Sequence, residues 1–181
     1  QVVHGEVKVG DYAFAQIDTA RRAQIKVHHT SAHLLQAALI KVLGDEVKQA
    51  GSQVEENRMR FDFTFSRAMT PQEVKKTEDI MNKWIGEKLP VNTDVMGIEE
   101  AKLTGATALF GEKYEDVVRV VSIGGKAKCN CGSDCSCDHE SGEEKEVISK
   151  EFCAGTHASN TADLRLVKIV SEGAIAAGTR R

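Results

Sequence analysis

The chain has 181 residues, of which 41% are hydrophobic and 28% are charged, and its net charge is −3. This length suits one domain with a sizeable core, and the composition is ordinary for a soluble globular protein. No apolar run approaches the roughly 20 residues of a membrane span, and no signal peptide opens the chain. We therefore exclude a membrane protein and expect a cytoplasmic one. Because Gln1 is not methionine and neither end carries a linker, we expect a piece of a longer protein.

The negative charge is concentrated in one segment. Residues 126–151 hold four lysines and seven acidic residues, a balance of −3, so the rest of the chain is neutral overall. Basic residues cluster at 21–26, 58–60 and 180–181. Solvated surface charge is the commoner explanation of such clusters, but clusters that share one face can contact phosphates. The sequence leaves both readings open.

The first predicted elements are a hairpin and a long helix. Residues 1–18 alternate in part around a central Gly-Asp pair, which predicts a β-hairpin. Asp18 or Thr19 then caps a helix that runs to about Leu43 and is stopped by Gly44.

Two strands are predicted over residues 46–66. Phe61, Phe63 and Phe65 alternate strictly with polar residues in the second strand, which places them on one face of a sheet. We interpret this aromatic set as core rather than as a surface for base stacking.

A second long helix begins at a capping box. Thr70 and Glu73 have the required spacing, Pro71 takes the first helical position, and the helix is expected to reach about Leu89. Further elements are a short helix to about Thr104 and strands at Val91–Ile98, Val117–Ile123, Val147–Phe152 and Leu164–Val170. Two long helices among mostly hairpin-linked strands predict an α+β domain with a largely antiparallel sheet.

Two pairs of potential metal ligands lie far apart in the sequence. His29 and His33 are four residues apart, as are Cys153 and His157, and on a helix this spacing puts both side chains on one face. Three imidazoles and one thiolate are a ligand set that zinc prefers. Thr30 follows His29 where a metalloprotease carries glutamate, which argues against a peptidase.

Five short motifs follow one another along the chain: HTSAHLL at 29–35, QAGS at 49–52, RFDF at 60–63, ALFGEKY at 108–114 and CAGTH at 153–157. Together they resemble the editing domain of alanyl-tRNA synthetase, and the closing AAGTRR at 176–181 also fits. The resemblance covers residues 5–181 except for about 126–147.

The resemblance implies an alanyl/threonyl-tRNA synthetase editing fold and divides the chain. Residues 1–18 are expected to be the tail of a preceding β-rich region. Residues 19–181 are expected to form the editing domain, with a cysteine-rich acidic insert at about 126–147.

The implied activity is zinc-dependent hydrolysis of Ser-tRNA(Ala) and Gly-tRNA(Ala) within a cytoplasmic, ATP-dependent alanine–tRNA ligase. The implied partners are the acceptor end of tRNA(Ala) and the rest of the synthetase chain, with no membrane. The implied zinc ligands are His29, His33, Cys153 and His157. Four protein ligands form a closed tetrahedron, whereas hydrolytic zinc normally keeps an open position, so a catalytic and an organising role both stay open.

The resemblance also assigns residues to the reaction. Thr30 and Gln49 are expected to recognise the serine hydroxyl or exclude alanine, and backbone amides around Gly155 and Thr156 are expected to stabilise the oxyanion. The family usually has glycine where this chain has Ala154. If that position adopts positive φ, alanine strains the turn, but we expect activity to survive one added methyl group.

Three alternatives remain: a threonyl-type Ser-tRNA editing domain, a non-catalytic zinc-stabilised tRNA-binding module, and a free-standing editing protein. The resemblance does not extend to the cysteines of the insert. Their CxC spacing suits a soft metal ion, which makes a second zinc site one interpretation and an inert acidic loop the other. These four residues are Cys129, Cys131, Cys135 and Cys137.

Overall fold

Helix α1, Thr19–Leu43, is the central element of the fold. A computed structural model describes residues 4–108, 114–127 and 144–181 of the chain. The Asp18 carboxylate accepts the Arg21 amide at the start of α1, and Gly44 ends the helix with a φ of 108°. Both ends of this helix are therefore as predicted. Within the described ranges, no helix combines the length and apolar character that a membrane span requires.

Besides α1, residues 4–108, 114–127 and 144–181 form two further α-helices and seven strands. The helices are α2 (Pro71–Gly86) and α3 (Ile98–Leu103), and the strands are β1 (Gln49–Val54), β2 (Met59–Thr64), β3 (Val91–Gly97), β4 (Val117–Gly125), β5 (Lys145–Phe152), β6 (Ala174–Ala176) and β7 (Thr179–Arg180). One sheet has the order β1-β2-β7-β6 and the other the order β3-β4-β5, and every pairing of these strands is antiparallel. The fold is α+β, as predicted, with its strands divided between two sheets.

Two hydrophobic cores meet along α1. Leu34 and Ala38 pack with α2 and the β3-β4-β5 sheet, whereas Ala32 and Leu39 pack with the β1-β2 hairpin. Every residue of 30–34 is buried as a result, so the helix has no single inward face. The predicted role of the aromatic set in β2 is confirmed, because Phe61, Phe63 and Phe65 are all buried in the second core.

The capping box of α2 has the predicted geometry. The Thr70 hydroxyl accepts the Glu73 amide at 3.2 Å, and the Glu73 carboxylate accepts the Thr70 amide at 2.8 Å. Arg67 donates two hydrogen bonds to the same carboxylate. The helix ends at Gly86, earlier than expected.

The strand predicted at Leu164–Val170 is wrong. A 3-10 turn ends at Leu164, and the following backbone bonds to side chains of α2 instead of to a strand. The Val167 amide donates to Asn82 and the Ile169 amide donates to Glu78. Because these side chains satisfy the backbone amides, the segment does not need a neighbouring strand to bond to.

The hairpin predicted for residues 1–18 is not formed in residues 4–18. These residues contain one turn, closed by the Asp11 amide and the Lys8 carbonyl, and no strand. Their apolar side chains are exposed, including Val9, Tyr12 and Phe14 at 90% or more. A two-stranded ribbon without a packing partner is marginal in water, which explains the difference.

Candidate metal centre

Four side chains from opposite ends of the chain meet beside α1. His29 and His33 lie one turn apart on the helix, and the loop after β5 brings Cys153 and His157 to them. One ligand atom from each residue can be chosen so that all four lie within 4.8 Å of one another. The strand register carries the loop there, because Phe152 pairs with Val120 at the end of β5.

The spacing of these atoms suits a tetrahedral ion. Cys153 Sγ lies 3.4 Å from His29 Nε2 and 3.3 Å from His157 Nε2. Ordinary zinc–nitrogen and zinc–sulfur bond lengths place such ligand pairs about 3.3 to 3.6 Å apart in a tetrahedron. The three imidazole rings also crowd together, with centroids 4.3 to 5.4 Å apart. The residues present therefore fit a zinc-sized cation.

His33 supplies an independent indication of a ligand. Its Nδ1 lies 2.8 Å from a Glu151 carboxylate oxygen, while its Nε2 is buried and has no hydrogen-bond partner. Burial lowers the pKa of His33, but the nearby Cys153 thiolate and Glu151 carboxylate raise it to about 9. A carboxylate on one imidazole nitrogen is the usual support for a histidine that binds metal through the other.

The surroundings of Cys153 favour its thiolate form. Burial raises its pKa, but the neighbouring imidazoles of His157, His29 and His33 and the nearby Gly155 amide lower the pKa to about 3. The thiolate is the form of cysteine that binds metal. The oxyanion role expected for the Gly155 amide from the resemblance stays a prediction.

Gly155 is needed where it is because the His29 ring lies directly on it. An added Cβ at this position would stand 2.1 Å from His29 Cε1 and 2.5 Å from Nδ1. Cβ atoms do not tolerate such distances, so only glycine lets the ring occupy this place.

Thr30 orients His157 and does not face the cleft. Its hydroxyl is fully buried, donates to the Lys26 carbonyl at 2.9 Å and accepts the Ala158 amide at 3.0 Å. His157 Nδ1 lies 3.4 Å from the same oxygen. This contact favours the tautomer that leaves Nε2 free for a metal, and burial further lowers the pKa of His157. Every hydrogen bond of the Thr30 hydroxyl in this structure is internal, and its contact with the serine hydroxyl stays a prediction.

Comparison with known proteins agrees with this arrangement. Residues 118–181 match the family described as the threonyl and alanyl tRNA synthetase second additional domain. An alanine–tRNA ligase of Synechococcus sp. (strain JA-3-3Ab) is 46% identical over 180 residues, which is 99% of this chain and 18% of the relative. These matches support an alanyl-tRNA synthetase editing-type domain. The chain spans about a fifth of that relative's length.

The group of potential ligands borders an open cleft of about 640 Å³. Gln49 lies half-buried in its wall, and its amide donates to Ser52 at 3.2 Å. Tyr114 lines the same cleft and contacts Phe152 edge to face. Thr156 is half-buried in the loop between the two ligands. Gln49 thus has access to a bound molecule, in contrast to Thr30.

The turn at Ala154 is unstrained. Among the described residues other than glycine, positive φ occurs at Lys88 and Arg165 but not at Ala154. The methyl group of Ala154 is exposed, and its carbonyl accepts Arg119 at 2.8 Å. The strain considered for this departure from the family pattern is therefore absent.

Two residues of the site were not predicted from the sequence. Glu151 supports His33 and is itself held by Ser149 at 2.9 Å, and Arg119 donates to the loop that carries Cys153. A signal existed for Glu151, since residues 149, 151 and 153 share one strand face by their spacing of two. No sequence signal pointed to Arg119.

The remaining predictions about charge and cysteine have different outcomes. Arg21, Arg58, Arg60 and Arg181 pair with the carboxylates of Glu56, Glu55 and Asp62, so much of the basic charge is neutralised locally. The cysteines at 129, 131, 135 and 137 lie outside the described residues, as does most of the motif at 108–114.

Proposed function

We propose that this domain hydrolyses Ser-tRNA(Ala) and Gly-tRNA(Ala) with one zinc ion held by His29, His33, Cys153 and His157. The observation that carries the proposal is the convergence of three imidazole nitrogens and a thiolate at the side of an open cleft. The name of the 46% identical relative, alanine–tRNA ligase, supports the choice of tRNA.

Such an activity meets a physical need of an alanine-specific enzyme. A pocket that accepts alanine cannot strongly exclude the smaller glycine, and it rejects an added hydroxyl poorly. A second site that hydrolyses the wrong ester restores accuracy. The reaction adds water to the ester carbonyl, breaks the bond to the ribose oxygen, and releases the amino acid and intact tRNA.

The chain's own residues hold and orient the centre. When bound, zinc would supply Lewis-acid polarisation of the ester or of water. Glu151 fixes the His33 ring, Thr30 fixes the His157 ring, and the Gly155 amide stabilises the charge on Cys153. Because these contacts leave little freedom to the four side chains, the geometry is set before substrate arrives.

Gln49 is the residue that we assign to recognition of the amino acid. Its amide offers a donor and an acceptor to a serine hydroxyl, and it already bonds to another hydroxyl, that of Ser52. Alanine lacks the hydroxyl and leaves the amide without that partner, which disfavours the correct product. The Gly155 and Thr156 amides are the candidates for stabilising the oxyanion.

The wider setting of the domain follows the same proposal. Its partners are the acceptor end of tRNA(Ala) and the rest of a cytoplasmic, ATP-dependent alanine–tRNA ligase. Residues 1–18 join the preceding region, and residues 19–181 form the editing unit. For the insert at about 126–147 both interpretations stay open, a second zinc ion at Cys129, Cys131, Cys135 and Cys137 or an inert acidic loop.

One observation favours a second candidate function. Four protein donors complete a tetrahedron and resemble a structural zinc site more than a hydrolytic one. A non-catalytic module with zinc as a structural ion would bind tRNA(Ala) and leave its ester intact.

Release of serine from mischarged tRNA separates these functions. We expect the wild-type chain to deacylate Ser-tRNA(Ala) and His29→Ala to lose about 100-fold or more, because several kcal/mol of charge stabilisation disappear with the ion. Lys75→Met serves as the control, because Lys75 pairs with Asp79 on the exposed side of α2. A wild-type chain that binds tRNA(Ala) but never releases serine would favour the non-catalytic module, and faster release from Ser-tRNA(Thr) would favour the threonyl-type alternative.

A further inference from the structure

Arg119 stands in the wall of the cleft beside the metal ligands. It lies on β4, is half-buried, and its Nη1 donates to the Ala154 carbonyl at 2.8 Å. Its own carbonyl accepts the Cys153 amide at 3.0 Å. Backbone and side chain thus place this guanidinium next to the loop that carries Cys153.

Unlike most other arginines of the domain, Arg119 has no acidic partner in the described part of the chain. Six arginines form ion pairs with carboxylates: Arg21, Arg58, Arg60, Arg67, Arg180 and Arg181. Arg119 bonds to a neutral carbonyl instead. A half-buried cation without a counter-charge is costly, and an anionic ligand removes that cost.

The charged residues around the cleft also favour an anionic ligand. Arg119 is the one lysine or arginine among the described residues that line it. Of the two acids in the lining, Glu151 is engaged with His33 and Ser149, and Glu115 is exposed at the rim. A zinc ion would balance the Cys153 thiolate and the Glu151 carboxylate, which leaves Arg119 as the cationic group of the cleft wall that can meet an anion.

We infer that Arg119 binds the phosphodiester group on the 5′ side of the terminal adenosine and so positions the ester at the metal centre. This inference rests on the proposed function. A guanidinium has five donors in a planar fork, and one of them holds Ala154. The remaining donors can meet two phosphate oxygens, a geometry that lysine does not reproduce.

Three variants and two small substrates test the assignment. Arg119→Met removes the charge, Arg119→Lys keeps it, and Lys75→Met is a matched loss of one positive charge at an exposed site. The substrates are 3′-seryl-adenosine with and without a 5′-phosphate. We expect Arg119→Met to lower kcat/KM about tenfold, mainly through KM, for the phosphorylated substrate only. Arg119→Lys should recover part of this loss.

Binding gives a readout that does not depend on catalysis. The affinity for an acceptor-stem minihelix of tRNA(Ala) that carries no amino acid should fall about tenfold in Arg119→Met. The slope of log affinity against log salt concentration should decrease in magnitude by about one. Zinc content should match wild type in both Arg119 variants. If the wild-type chain releases no serine but Arg119→Met still weakens minihelix binding, the proposed function fails and only the phosphate contact of Arg119 stands.

Several results would overturn the inference while leaving the proposed function intact. Equal losses on both small substrates would make Arg119 only a clamp for the Ala154 turn. Unchanged kinetics and unchanged minihelix binding in Arg119→Met would show that no phosphate is bound there. A loss of zinc in Arg119→Lys would assign the residue to support of the metal site alone.

Discussion

The absence of a side chain at Gly155 lets the His29 ring lie beside Cys153 and His157. The His29 ring covers the position that a Cβ would take, at 2.1 Å from Cε1. The nearby Gly155 amide also helps to lower the pKa of Cys153. One residue without a side chain therefore serves two of the four ligands.

Gly155→Ala should displace His29 and weaken zinc binding by about 10- to 100-fold, comparable to the loss of other residues that orient metal ligands. Isothermal titration of the metal-free chain with zinc measures this. Gly173→Ala is the matched control, because nothing lies within 4 Å of a Cβ built there. Wild-type affinity in Gly155→Ala would show that His29 is not held as described.

At this scale, spacing identified two pairs of potential ligands but did not show that the pairs would meet. Two i, i+4 pairs indicated the four side chains that the structure brings together, because their chemistry is local to two short motifs. The orientation of Thr30 was not predictable in this way. Its hydroxyl is buried by contacts to residues more than 120 positions away, including Ala158, and no local pattern encodes them.

Among the elements, α1 and the loop after β5 are joined through one buried hydroxyl. Thr30 contacts Lys26, His157 and Ala158. Thr161 makes a comparable buried link from its loop to Trp84 and Leu89. The two threonines are alike in burial and in bonding, but only Thr30 touches a metal ligand.

Thr30→Val and Thr161→Val should each lower the free energy of unfolding by about 1 to 3 kcal/mol, because each leaves buried partners unsatisfied. Only Thr30→Val should also weaken zinc binding and slow serine release. Urea unfolding of the zinc-free chains and zinc titration measure the two effects. Equal effects of both variants on zinc affinity would contradict the orienting role of Thr30.

The start of α2 should carry a pH-dependent part of the stability. Hydrogen bonds from Arg67 and from Thr70 lower the pKa of Glu73 from 4.5 to about 2. Because the folded state has the lower pKa, this contribution is present above about pH 4.5 and is lost as the pH falls toward about 2.

Glu73→Gln should therefore have a lower free energy of unfolding than wild type at pH 6. The difference between the two proteins should narrow as the pH falls from about 4.5 toward about 2. Urea unfolding between pH 6 and pH 3 measures it. Arg67→Met should flatten the same pH dependence, since Arg67 is the main cause of the shift. A difference between wild type and Glu73→Gln that stays constant with pH would contradict this assignment.

Helices whose ends carry local capping signals could be located from the sequence, whereas an element without such signals could not. The Thr70 capping box and the Gly44 stop located helix ends because the signals are local. The strand expected at Leu164–Val170 failed because Asn82 and Glu78 of α2 take its backbone amides. That competition depends on tertiary packing, which the hydrophobic pattern does not contain.

For the molecule as a whole, the N-terminal segment lies outside the packed structure. Residues 4–17 are exposed throughout, and their one described backbone hydrogen bond closes a local turn. The C-terminus is different, because Arg181 holds the buried Asp62 through two hydrogen bonds and lowers its pKa. We propose residue 18, the cap of α1, as the start of the folded unit.

Removal of residues 1–17 should change the Tm by less than about 2 °C, since a surface segment without contacts contributes within about 0.5 kcal/mol. Removal of residues 179–181 should lower the Tm by at least about 4 °C, because it takes away β7 and the partner of Asp62. Thermal unfolding followed by circular dichroism compares them. A large drop on N-terminal removal would place part of residues 1–17 in the folded unit.

No physical pattern in the sequence showed that residues 29 and 157 would meet. The family resemblance suggested this meeting, and the antiparallel order β3-β4-β5 brings the two segments together.

The proposed function depends on this meeting point being a zinc centre. Zinc content per chain, measured by mass spectrometry for wild type, His29→Ala and Cys135→Ser, tests it most directly. We predict that His29→Ala holds one zinc ion fewer than wild type, and that Cys135→Ser keeps the ion that His29→Ala loses. Equal zinc content in wild type and His29→Ala would contradict the account.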